Sequence, residues 1–104
     1  MRKFFDWNET YAQELIAFCQ KSVQTRSYSD EEGAFARLVE SKMKELGFDE
    51  VWIDPAGNVV GRVGSGPRII HFDSHMDTVQ VNDAGEWVSP PFGGEIVDGM
   101  LYGR

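Results

Sequence analysis

The sequence predicts an α/β fold, with two N-terminal helices packed on a small mixed sheet. Three observations carry this. Apolar residues recur at spacings of three and four through residues 8–23 and again through 35–46. From residue 51 the period shortens to two, and β-branched residues gather between turns bearing Gly and Pro. Helices with one apolar face need a sheet or other helices to bury it, and the order helix, helix, hairpin, strand, hairpin offers a sheet.

The first helix is expected over 8–23. Asn8 is placed to cap it, with Glu9 in the first turn facing the helix dipole. Tyr11, Leu15 and Phe18 line one side beside Ala12, Ile16, Cys19 and Val23, while Gln20, Lys21 and Gln24 take the wet side. The second helix opens on Ser29 and Glu32 at capping-box spacing, with Asp30 and Glu31 between them. Phe35, Leu38, Val39, Met43 and Leu46 form its apolar face, and Gly47 supplies a left-handed closing residue.

Residues 51–53 and 59–63 read as a hairpin around Asp54-Pro55-Ala56-Gly57-Asn58. After Gly64-Ser65-Gly66-Pro67, residues 68–73 are the candidate central strand, because their apolar side chains point both ways. Residues 74–94 read as loop. A last hairpin joins 95–97 to 100–102 through Asp98-Gly99.

Composition narrows the function classes. The 104 residues suffice for one domain at most, and the chain reads as an incomplete portion of a larger one. Seventeen acidic against ten basic residues give a net charge of −7, which argues against a nucleic-acid partner. The second half holds no lysine, so a functional surface there suits a cation. One cysteine, Cys19, excludes an internal disulfide; on the apolar helix face it reads as a quiet core thiol. No run suits a membrane span or signal peptide, so the expected setting is cytoplasmic, without a membrane partner.

The chemistry concentrates in Asp73-Ser74-His75-Met76-Asp77-Thr78. In extended backbone Ile69, His71, Asp73, His75 and Asp77 share one face, which turns from apolar to ionisable at the strand's C-terminal end, where open α/β sheets bind ligands. A histidine that binds a metal through one ring nitrogen needs an acceptor for the other N–H, and a carboxylate two residues on supplies one. The bland account makes His75 a hydrogen-bonded, partly buried residue and Asp77 a loop cap. His71 and His75 would lie about 13 Å apart on a strand, too far to share an ion. Ser74 lacks the Gly-x-Ser-x-Gly context of a nucleophile, and the glycines at 61, 64 and 66 lead into Pro67 and a strand rather than a phosphate-binding helix. Trp87, Pro91 and Phe92 read as a loop anchor or a substrate-side wall.

Asp73-Ser74-His75-Met76-Asp77-Thr78-Val79, then Trp87, Pro91-Phe92 and Asp98-Gly99-Met100-Leu101-Tyr102-Gly103-Arg104, resembles a known family. These are the zinc-dependent metallopeptidases and amidohydrolases related to aminoacylase, acetylornithine deacetylase, succinyl-diaminopimelate desuccinylase and glutamate-releasing carboxypeptidases. The resemblance covers essentially the whole chain. It implies the N-terminal part of a catalytic domain that cleaves an amide bond in a short peptide or N-acyl amino acid. His75 would be a ligand to one metal of a two-zinc centre, with cobalt or manganese as substitutes, and Asp77 would hold and polarise that histidine within the catalytic machinery. The bridging aspartate, the glutamates and the final histidine of the family pattern would lie beyond Arg104, as would a lid domain that often forms a homodimer surface. Neither Asp73 nor Asp98 matches the pattern as a replacement ligand. One imidazole does not hold zinc in a four-coordinate site with useful strength. The 104 residues alone are therefore expected to bind no metal tightly and to be inactive. The competing reading is a small non-catalytic protein-interaction module, using an unfinished sheet edge or the loop from Trp87 to Phe92.

Overall fold

A computed structural model describes residues 2–104, with side chains from Glu9 onward. The chain divides into two compact units, one of residues 26–80 and one combining residues 1–25 with 81–104. Two helices and small sheets are present, so the α/β class stands. The sheets are two separate antiparallel pairs rather than one mixed sheet.

In the unit of residues 26–80, helix α2 (Gly33–Glu45) lies against the hairpin of β1 (Glu50–Ile53) and β2 (Val59–Arg62). The strands pair from Glu50 with Arg62 to Ile53 with Val59. The turn between them is held by one carboxylate. Asp54 accepts hydrogen bonds from the amides of Ala56 and Asn58, each at 2.9 Å, and from the Asn58 side chain at 2.9 Å. Gly57 takes the left-handed conformation (φ 93°) that turn demands. The helix closes as expected at Gly47 (φ 78°), with Gly47 N–H donating to Lys44 O and Phe48 N–H to Met43 O. The capping box does not form. The helix begins after Glu32, which makes no side-chain cap, and the Glu32 carboxylate accepts from the Asp30 amide instead. Asp30 sits at φ 68°, so a separate turn intervenes between Ser29 and the helix.

Residues 68–73 form no strand. Ile69, Ile70 and Phe72 are 88%, 81% and 89% exposed. Side chains that point both ways suit a strand covered on both faces, and neither hairpin among the described residues pairs with this segment. A strand without a neighbour has no ladder to hold it.

In the other unit, helix α1 (Arg2–Gln24) starts six residues before the expected cap and carries Asn8 in its interior. Neither Pro nor Gly interrupts residues 2–8, and an interior asparagine is only mildly unfavourable. Part of the expected wet side docks as well, beside Phe18 and Val23 of the apolar side, which are half-buried. Gln20 Nε2 donates to Gly94 O at 2.7 Å and Gln24 Nε2 to Gly93 O at 3.0 Å. Tyr11, Leu15, Ile16 and Cys19 on the apolar side are exposed, so Cys19 is not the core thiol expected. A helix buries its apolar face only where an apolar surface meets it, and the loop at 93–94 presents carbonyls instead. A short 3-10 turn, Ala84–Glu86, leads to Trp87. The last hairpin, β3 (Glu95–Val97) and β4 (Met100–Tyr102), forms as expected, with Asp98 (φ 50°) and Gly99 (φ 78°) both left-handed in its two-residue turn. The Arg104 amide donates to Pro91 O at 2.8 Å, and its guanidinium lies 6.0 Å from the Trp87 ring centroid. These contacts tie the loop from Trp87 to Phe92 to the chain's own residues. No described helix is long and apolar enough to cross a membrane.

Candidate functional site

The His75 segment is held by a neighbour far away in sequence. Tyr28 and Thr78 form a parallel β-bridge, and the Thr78 amide donates to Ser27 O at 2.7 Å. The Thr78 hydroxyl donates to the same carbonyl at 3.2 Å. Ser27 is buried at 4% exposure. This contact fixes residues 77–78 although 68–73 are unpaired.

His75 Nδ1 lies 2.9 Å from the Asp77 carbonyl oxygen and 3.3 Å from Asp77 Oδ1. Both oxygens only accept, so Nδ1 carries the proton, and in the neutral ring the lone pair sits on Nε2. The His75 side chain is 83% exposed. The bland account, a hydrogen-bonded and partly buried histidine, is met in its hydrogen bond and not in its burial. The shorter contact goes to the backbone carbonyl, with the carboxylate beside it. A backbone-carbonyl anchor is one that alternation along a strand does not foresee.

The second Asp77 oxygen, Oδ2, accepts the Ser29 hydroxyl at 2.7 Å. That bond is the largest cause holding the Asp77 carboxyl below its ordinary range, with smaller contributions from its own amide and from His75. Sequence reasoning read Ser29 as a helix cap and missed this contact. Nothing within a few residues signals it, because Ser29 followed by three acidic residues looks the same in either role.

Among the described residues no three His, Cys, Asp or Glu side chains gather into a set able to hold a metal ion. His71 and Asp73 are exposed on the unpaired segment, and Asp98 serves the hairpin turn. The donor chemistry at His75, one anchored nitrogen and one exposed lone pair, fits a single ligand position of a metal site.

No protein-family model matches the chain. An uncharacterized protein of Escherichia coli K12, YgeY, is 35% identical over 94 residues, covering 90% of this chain and 23% of its own length. A succinyl-diaminopimelate desuccinylase of Cereibacter sphaeroides is 39% identical over 93 residues, covering 86% of this chain and 24% of its own. The chain thus spans about a quarter of the length of these curated relatives. The chain is similar to a named desuccinylase over most of its own length, a finding independent of the geometry around His75.

Proposed function

We propose that the chain is part of a metal-dependent hydrolase that cleaves an amide bond in a short peptide or N-acyl amino acid, with His75 as one metal ligand. The observation that carries this reading is the state of the His75 ring: Nδ1 is engaged by Asp77, and Nε2 is left with its lone pair on an exposed side chain. The desuccinylase relative supplies the reaction class.

In this reading His75 binds through Nε2, and Asp77 fixes the tautomer and raises the basicity of the ring. The chemistry that a pair of zinc ions supplies when bound is carbonyl polarisation and a more acidic water. The acidic balance of residues 51–104, three basic against seven acidic side chains, favours a cation there. Cobalt or manganese would suit the same nitrogen and carboxylate chemistry.

The interaction-module reading draws on the exposed Ile69, Ile70 and Phe72. The hydrolase reading is preferred because it also accounts for the His75 geometry and the named relative. Calorimetric zinc titration separates the two. The 104 residues should bind zinc no tighter than about 10 μM, since one imidazole is a poor site. A gene product of the relatives' length that contains this chain should bind much more tightly and hydrolyse N-acyl amino acids or short peptides. Equal, weak binding and no amidase activity in that longer product would falsify the hydrolase reading.

A further inference from the structure

We propose that Ser29 is a positioning residue for the His75–Asp77 pair, a role that rests on the metal-ligand reading of His75. The Ser29 hydroxyl donates to Asp77 Oδ2 at 2.7 Å, while Asp77 Oδ1 faces His75 Nδ1 at 3.3 Å. The terminal torsion of an aspartate has a broad, two-fold profile, so a carboxylate gripped only at the longer distance is free to rotate. A short charge-assisted bond to the other oxygen removes that freedom.

The hydroxyl itself is held from both sides. The bridge of Tyr28 with Thr78 places Ser29 and Asp77 one residue away on their respective segments. The Thr78 amide and hydroxyl both reach Ser27 O, fixing the register of the two segments. On the Ser29 side, Glu31 N–H donates to Tyr28 O at 2.8 Å. Arg26 pairs with Glu31 at 2.7 Å and lies 4.8 Å from the Tyr28 ring centroid. The turn that carries Ser29 is therefore closed by its own contacts. Because Glu32 makes no side-chain cap and Asp30 departs into a left-handed conformation, the hydroxyl is committed to Asp77 rather than to the helix.

The consequence is a relay of orientation: Ser29 sets the plane of the Asp77 carboxylate, and the carboxylate at 3.3 Å reinforces the hold that the Asp77 carbonyl at 2.9 Å has on the Nδ1 proton of His75. The test is the neutral-ring tautomer of His75, read by long-range nitrogen–proton correlation in the metal-free 104-residue chain, with His71→Gln present throughout to leave one imidazole signal. The parent should favour Nδ1–H. Ser29→Ala should lower the ratio of Nδ1–H to Nε2–H roughly twofold, the low end of one net hydrogen bond, because the bond to the Asp77 carbonyl remains. Ser29→Thr, which keeps the hydroxyl, should restore it. Should Ser29→Ala not fold, Ser29→Cys replaces it, with a weaker donor and a smaller shift in the same direction. An unchanged ratio in the folded Ala or Cys variant overturns the proposal. Zinc affinity of a product of the relatives' length that contains this chain gives the second readout: Ser29→Ala should weaken it roughly 10-fold and Ser29→Thr should recover it. If the parent product binds no zinc, the metal reading fails while the tautomer result still decides the role of Ser29.

Discussion

Phe48 donates its amide to the carbonyl of Met43 at 3.1 Å, and the side chains of the same two residues close over Gly61 on the neighbouring strand. A helix-closing motif and a strand glycine thus meet at one point. The motif turns the chain out of the helix at Gly47 and brings the Phe48 ring back onto the sheet. A Cβ at residue 61 would lie 2.7 Å from Met43 Sδ and 2.7 Å from the Phe48 ring.

Gly61→Ala should therefore destabilise the unit of residues 26–80. Methionine can swing aside, but the Phe48 ring meets the same point, so relief requires that both side chains or the backbone shift. Overpacking of this kind costs about 1–3 kcal/mol. Urea unfolding followed by the fluorescence of Trp52, with Trp7→Phe and Trp87→Phe present throughout, should show a lower midpoint with an unchanged slope, and an unchanged midpoint would mean that the strand and helix separate freely.

The turn at Asp54 gives a pH dependence with a definite sign. Its carboxyl is held below the ordinary value of 3.8, first by the Asn58 side-chain amide and then by backbone amides. A depressed folded value means the unfolded chain binds the proton more readily. The contribution to stability is whole above about pH 4 and is lost as pH falls through the folded value. Carboxyl carbon shifts should place the Asp54 midpoint below that of an unstructured aspartate. Asn58→Ala should move it upward, and a midpoint indifferent to that substitution would remove the side-chain amide as the leading cause.

Ser27 and Ser29 stand two residues apart and should behave oppositely. Ser27 is buried, and its hydroxyl has no hydrogen-bond partner among the described residues. Removing a buried polar group that is already unpaired relieves desolvation, so Ser27→Ala should be neutral or stabilising by up to about 1 kcal/mol. It should leave the Asp77 titration untouched. Ser29→Ala should instead raise the Asp77 carboxyl toward its ordinary range, because it removes the largest lowering contact. Thermal unfolding and carboxyl titration of the two variants, side by side, check both halves.

Both hairpins and the closing glycine of the helix at 33–45 were legible in the sequence because their signals are local. Asp98-Gly99 needs two left-handed residues and has them, and Asp54 binds amides within four positions of itself. The site was half legible. His75 and Asp77 are neighbours in sequence, so their proximity follows from spacing. The hydroxyl that grips Asp77 comes from 48 residues earlier, through a backbone bridge that no periodicity encodes. The false capping box at Ser29 and the false strand at 68–73 share one cause. Each pattern describes what the residues suit when a partner is present. Ser29 found a different partner, and the strand found none among the described residues.

That last segment makes the final prediction. Ile70 is 81% exposed, so it contributes almost no burial to the stability of these 104 residues. Ile70→Lys should change the unfolding free energy by no more than about 0.5 kcal/mol, as surface substitutions do. The same substitution should lower concentration-dependent association of the chain, because an extended apolar segment with free backbone groups templates pairing with other chains and a lysine blocks it. Light scattering across a concentration series reads the second effect, and denaturant titration at low concentration reads the first. A large loss of stability in the dilute monomer would show that Ile70 is buried in solution and that 68–73 does belong to a sheet within this chain.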